Sequence, residues 1–235
     1  MQFIATELFS ESILPVLEEE YKLTLPLISE ITRETHAGPL PESNKVFEGF
    51  YAGAFPGDLN NKQNDENLIT LLNSGFDTFV CMMTEYQPEA LERQWRNNWA
   101  HRVVRPYMKD IKRILENKEQ YPTLLNTVSN DITFKHIPIK DMKTILDADT
   151  LHAAMEVVDL LKSGKKIYLH CWGGHGRTGV IVCLVLHLVG GLSAEEAFNY
   201  CQHVHDLREN NCLETPSPQT DLQREQVKRI IRSLQ

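Results

Sequence analysis

The sequence has no Cys-x-x-Cys pair. Its five cysteines are unevenly spaced, which excludes a disulfide framework and a zinc knuckle and fits a reducing compartment. Long hydrophobic runs are missing too. The longest, Val180 to Val189, is interrupted by His187 and is too short to span a bilayer, so no transmembrane segment is expected. The opening residues MQFIATELFSES lack a basic start and a cleavable apolar core. No secretory leader is therefore expected, and the cytoplasm is the expected compartment. Positive charge is in deficit: 24 Lys and Arg against 32 Asp and Glu leave a formal charge of −8. A surface of that sign repels nucleic acid and anionic membrane, so any anion site must be built locally. No internal repeat or low-complexity tract is present. A composition 42% hydrophobic and 24% charged over 235 residues suits one well-cored domain with an extension.

Residues 1–45 end in AGPLPESNK, whose Gly, two Pro and Ser read as a linker, so this stretch is expected to be an N-terminal extension to a domain of residues 46–235. From Val46 the pattern alternates. A strand is expected around Phe47 to Gly53, a helix around Asp65 to Asn73, and a strand in FDTFVCMM. After a long insertion at about 86–131 come the strand ITFKHIPI and a helix from Thr150 to Ser163, with Leu151, Met155, Val158 and Leu161 at helical spacing and Gly164 as its stop. KKIYLH is a short buried strand, followed by a Gly-rich turn and an apolar helix from about Gly176 to Val189, closed by Gly190 and Gly191. Ser193 with Glu196, and Thr220 with Gln223, form capping boxes that open two more helices. This alternation implies an α/β fold with a central, mostly parallel sheet flanked by helices.

The chemistry is concentrated in YLHCWGGHGRTG, Tyr168 to Gly179, which runs strand, tight loop, helix. Gly173, Gly174 and Gly176 let the loop curl so that successive N–H groups point inward. The helix that follows aims its positive end at the same point, which makes an anion cradle. A cysteine at its mouth, Cys171, has its thiolate stabilised by those groups and is a nucleophile at neutral pH. Arg177 can reach back and grip two phosphate oxygens with its planar fork, and Thr178 can donate its hydroxyl to the sulfur. The bland alternative is a buried Cys beside a Gly-rich turn, present only for packing. Cys, Gly, Arg and Thr rarely coincide at these offsets without function.

His170-Cys171-x5-Arg177-Thr178-Gly179 resembles the signature of the protein tyrosine phosphatase superfamily of Cys-x5-Arg cysteine phosphatases, in the style of its small, atypical dual-specificity members. VFEGFYAGAFPG resembles their opening strand, IPIKDM their acid loop, GLSAEEAFNYCQHVHDLR their helix after the signature, and SPQTDLQREQV their Gln-bearing tail. The resemblance implies a metal-independent phosphomonoester hydrolase acting through a phosphocysteine, with no metal and no organic cofactor. A protein tyrosine or dual-specificity phosphatase acting on a phosphorylated protein is the first expectation. A phosphoinositide or inositol polyphosphate phosphatase is the alternative, and an inactive phosphate-binding module is a weaker one. A sulfurtransferase or arsenate-reducing enzyme also uses a thiolate on an anion loop, but the Thr-Gly ending and the acid-loop likeness favour ester hydrolysis.

The leaving oxygen needs a general acid, and the resemblance puts it at Asp141. Asp147 and Asp149 compete, although Asp149 is placed to cap the helix near Thr150. Gln223 matches the family's water-positioning glutamine, while its capping box with Thr220 explains it without catalysis. His170 is expected to support the loop. Trp172 and the loop residues Gly173, Gly174, His175 and Gly176 are expected to line the substrate site with Arg177. His175 either brings a basic group to a second substrate anion or fills space. His203 and His205 face different sides of a helix, which argues against a metal site. Cys81 closes the strand FDTFVCMM. It is either a small core residue or a partner that traps oxidised Cys171 as a disulfide.

The insertion inverts the chain's charge balance. Arg93, Arg96, Arg102, Arg105, Lys109, Lys112, Arg113 and Lys118 face only Asp110 and Glu116 between Arg93 and Lys118. Met108, Ile111, Ile114 and Leu115 at helical spacing place part of this segment on the core. The excess cations lead to the expectation that its basic side overhangs the pocket and favours polyanionic substrates.

Overall fold

The computed structural model describes residues 21–96, 103–210 and 215–235. In chain order its elements are α1 (Arg33–His36), β1 (Ser43–Phe47), β2 (Phe50–Gly53), α2 (Asn61–Asn73), β3 (Thr78–Cys81), α3 (Glu92–Arg96) and α4 (Tyr107–Glu116). They continue with β4 (Thr133–His136), α5 (Asp147–Lys162), β5 (Ile167–His170), α6 (Gly176–Gly190), α7 (Ala194–Asp206) and α8 (Asp221–Ser233).

The single strand expected over Phe47 to Gly53 is a hairpin instead. Gly49 adopts φ 81°, a left-handed conformation that reverses the chain, and β1 pairs antiparallel with β2. The sheet runs β1-β2-β5-β3-β4, and β2–β5, β5–β3 and β3–β4 are all parallel. The expected α/β fold, mostly parallel and flanked by helices, is therefore observed. All four residues of β5 are buried, as expected for a central parallel strand covered on both faces. Gly53 and Cys81 both register with His170, so three strands end at one edge and the catalytic loop leaves from there. Active sites of open α/β sheets lie at that carboxyl edge.

Helix α6 follows the loop and is buried over most of its length. It packs against α5, α7 and α8, and burying each of its Val, Ile and Leu side chains contributes about 1.5–3 kcal/mol. Gly191, at φ 69°, ends it. Among the described residues no single helix is long and apolar enough to cross a membrane.

Several element bounds differ from expectation, each for a local reason. Helix α2 starts at Asn61, four residues before Asp65, because the Asn60 side chain accepts from the N–H groups of Lys62 and Gln63. Helix α5 starts at Asp147, so Asp149 sits in its first turn and is not the cap. The stop at Gly164 (φ 80°) and the capping boxes at Ser193 and Thr220 are present. The boundary at Val46 runs through β1. Ahead of it, Leu23 N–H donates to Val189 O at 2.8 Å, Ile31 is buried, and Arg33 donates to the carbonyls of Leu207 and Arg208.

In the insertion, Ile111 and Ile114 are buried and Met108 and Leu115 are partly so, as the helical spacing indicated. Tyr107 is also fully buried. Six of the described cations have partners within the chain. Arg105 forms a fork onto Asp110 (2.7 and 2.9 Å) and also donates to Asp58 O and Asn61 Oδ1. Arg113 donates to Asp65 (2.6 Å), Asp110 and the Tyr121 hydroxyl. Arg96 pairs with Glu92, Lys109 with Glu89 and Lys112 with Glu116, and Lys118 donates to Val128 O. Burial alone would raise the Asp110 carboxyl; Arg105 and Arg113 reverse this and hold it below the ordinary carboxylate range. Arg102 lies outside the described residues.

Candidate active site

Beyond the carboxyl edge lies a cleft of about 540 Å³, lined among others by Asp141, Cys171, Trp172, His175, Arg177 and Gln219. Gly173 and Gly176 line it as well. Gly174 adopts φ 74°, and a side-chain carbon there would sit 2.4 Å from Gly53 O. Only glycine lets the loop turn this close to β2. Cys171, 3% exposed, lies deep in the cleft. Trp172 is 42% exposed and stacks on Phe55 at 5.8 Å between ring centroids, which gives the mouth an aromatic wall.

Arg177 reaches back from the first turn of α6. Its guanidinium donates to Glu85 Oε2 (3.0 Å), Ile139 O (2.9 Å) and Asp141 Oδ1 (2.9 Å). Burial works against its charge, but Cys171, Glu85 and Asp141 more than offset that and raise its pKa above the ordinary arginine value. Among the described buried side-chain nitrogens and oxygens, Arg177 Nε and Thr178 Oγ1 have no hydrogen-bond partner. Buried polar groups are nearly always paired. An incoming phosphate and the Cys171 sulfur are natural partners for these two unused donors.

Of the three candidate acids, only Asp141 is at the cleft. Asp147 is committed to Arg229 and Gln226, and Asp149 is exposed on α5. Gln223 is fully buried and its side chain accepts from Thr220 N–H, but its amide also lies against the loop: a side-chain carbon at Gly176 would sit 2.8 Å from both its Oε1 and its Nε2. A second tail glutamine, Gln219, lines the cleft itself, one residue ahead of the cap.

His170 is fully buried. Its Nδ1 donates to Cys171 O (3.1 Å), so its Nε2 accepts from the Tyr107 hydroxyl (2.8 Å). Burial pushes its pKa down to about 3, keeping the ring neutral. His175 carries no positive charge to the site. Asp206 accepts from His205 Nδ1, so His205 Nε2 is bare and accepts from His175 Nδ1 at 2.7 Å. Burial and Arg208 lower both rings to about 4. His203 bonds Ile31 O. Cys81 registers beside His170 and is a fully buried free thiol whose pKa burial pushes up.

Sequence reasoning missed three supporting residues. Glu85 orients Arg177; it follows β3, and its position after a parallel strand next to β5 was the available signal. Arg208, 2% exposed, donates to Gly173 O (3.3 Å), Gly174 O (3.1 Å) and Asn44 Oδ1 (2.8 Å), drawing those carbonyls away from any bound anion. No local pattern marks it. The third is Tyr107, hidden inside the insertion.

The family is settled by a model described as Swiss Army Knife protein, DSP-PTPase phosphatase domain (PTP-SAK), which matches residues 58–234. The chain belongs to this phosphatase family. It is 36% identical over 77 residues to the putative tyrosine phosphatase 067L of Invertebrate iridescent virus 3, covering 31% of this chain and 32% of that protein. It is 32% identical over 101 residues to cyclin-dependent kinase inhibitor 3 of Homo sapiens, covering 42% and 46%. The match thus spans less than half the length of these curated relatives. Among solved structures, Tk-PTP in its active form aligns with a TM-score of 0.53 at 17% identity, over 82% of this chain and 97% of that one. Human DUSP28 aligns at 0.52 and 11% identity, over 83% and 96%. These likenesses show the same fold.

Proposed function

We propose that this chain is a phosphomonoester hydrolase that works through a phosphocysteine and acts on a phosphorylated protein, as a tyrosine or dual-specificity phosphatase. The observation that carries the reading is one cleft holding Cys171, the Arg177 guanidinium with an unpaired Nε, and Asp141 at 2.9 Å from that guanidinium. Cys171 Sγ attacks phosphorus and forms the S–P bond. The loop N–H groups and Arg177 hold the equatorial oxygens, and Asp141 gives its proton to the departing oxygen as the P–O bond breaks. Water then attacks phosphorus, Asp141 takes its proton, and the sulfur leaves as thiolate, steadied by the Thr178 hydroxyl. Gln223, whose amide lies against Gly176, or Gln219, which lines the cleft, orients that water. Each step uses the chain's own side chains and backbone.

The stacked Phe55 and Trp172 wall favours an aryl ester, hence a phosphotyrosyl group, at the mouth. The four free, buried cysteines among the described residues support a reducing compartment such as the cytoplasm. The test is Cys171→Ser: turnover of an aryl phosphate should vanish while oxyanion binding persists, and retained turnover would sink the reading. Asp141→Asn should lose much more kcat on phenyl phosphate than on a highly acidic aryl phosphate. Equal losses would remove Asp141 from the acid role.

A further inference from the structure

Among the described residues of 86–131, none lines the cleft. What does line it is three carboxylates, Glu42, Asp58 and Asp141, and two guanidiniums, Arg177 and Arg208. Both guanidiniums are 2% exposed and lie at the loop, Arg208 against its carbonyls and Arg177 against the acid loop. His175 is neutral and adds no charge. The carboxylates hold the rim. Asp141 has a side chain 60% exposed. Asp58 accepts from Asn60 N–H at 2.7 Å, and its carboxylate has no cationic partner among the described residues. Glu42 is exposed, and its carboxylate makes no hydrogen bond or ion pair among them. Glu42 also marks where the cleft adjoins a second cavity of about 200 Å³, since both are lined by Glu42, Ala54, Phe55 and Asn210. A group attached to the phosphorylated residue would pass there.

The cleft itself is marked as a ligand site independently of this acidic rim, by the buried, unpaired Nε of Arg177. Its charge is thus sorted: donors deep, where a single phosphate would sit, and outside them the carboxylates of Glu42 and Asp58, with Asp141 paired to Arg177. A second phosphate on the substrate would meet Glu42 or Asp58, whereas a Lys or Arg beside the phosphorylated residue would find a counter-charge. The chain's net charge of −8 adds to the same field.

We propose that this rim selects phosphopeptides carrying Lys or Arg next to the phosphorylated residue and disfavours polyanionic esters; the proposal rests on the hydrolase reading above. The test compares an aryl phosphate, three phosphotyrosyl peptides identical except for Arg, Gln or Glu on both sides of the phosphotyrosine, and inositol hexakisphosphate. An exposed ion pair changes affinity up to about fivefold, so kcat/KM should fall from Arg to Gln to Glu with about a tenfold or greater span at low salt, shrinking at about 0.5 M salt. Glu42→Gln should narrow the span and Glu42→Lys should narrow it further. Equal kcat/KM for the three peptides, or preference for the Glu peptide or the inositol phosphate, would overturn the inference while leaving the hydrolase reading intact. Failure to hydrolyse even the aryl phosphate would defeat that reading and this inference with it.

Discussion

Arg177 and Arg105 are buried to nearly the same degree, 2% and 6% exposed, and both are forked onto carboxylates. Arg105 spends every guanidinium nitrogen on Asp110, Asp58 O and Asn61. Arg177 keeps Nε unpaired and lines the cleft together with Cys171 and Asp141. Burying a cation therefore does not make an anion site; an unspent donor on a residue that lines the cleft does. The first arginine belongs to the catalytic loop and the second to the insertion.

That difference is sharpened first by Arg177→Lys. The charge is kept but the fork is lost, and kcat/KM for an aryl phosphate should drop about a thousandfold with little change in thermal midpoint. A loss of activity that merely followed a loss of stability would erase the contrast. The converse variant, Arg105→Ala, strands the half-buried Asp110 with Arg113 alone and should cost about 3–5 kcal/mol in denaturant unfolding, leaving kcat of the folded fraction nearly unchanged. Were kcat to collapse in a folded Arg105→Ala protein, the insertion would have a direct catalytic part.

The smallest effect is expected where the segments meet. Tyr107→Phe removes the donor to His170 Nε2 and should cost about 1–3 kcal/mol. His170 also gives a pH signature with a definite sign. Its folded value, pushed down to about 3, lies below the unfolded value of about 6.5. Between these the unfolded chain binds a proton that the folded one does not, so stability falls on acidification through that window, by about 1.4 kcal/mol per pH unit. His175 and His205, also lowered by burial, add slopes of the same sign, so His170→Asn should reduce the total by about 1.4 kcal/mol per pH unit; an unchanged slope would contradict a neutral, buried His170.

The sequence made the loop legible because its chemistry is local: Cys171, the glycines, Arg177 and Thr178 are fixed relative to one another by a strand, a tight turn and a helix start. Asp141 was legible only through the family's acid loop. The insertion was legible as far as its helical spacing, since Ile111 and Ile114 face the core, but its charge was not. Eight basic residues can be counted between Arg93 and Lys118, while Asp65 of α2, Glu89 and Glu92, three of the acids they pair with, lie outside that window. Gln223 was legible as a capping residue, while its approach to Gly176 and the place of Gln219 in the cleft lining depend on how α8 packs against the loop. Glu85 and Arg208 needed the sheet order and the end of α7.

The most direct test is to trap the intermediate. The protein should be mixed with an activated aryl phosphate, quenched in the millisecond range, digested and mapped for phosphate by mass spectrometry, with Gln219→Ala used to slow breakdown of the intermediate. The account predicts phosphate on the Cys171 sulfur, appearing with a burst of aryl alcohol and absent in Cys171→Ser. Turnover of the ester with no phosphoenzyme and no burst, or phosphate carried on another residue, would contradict it.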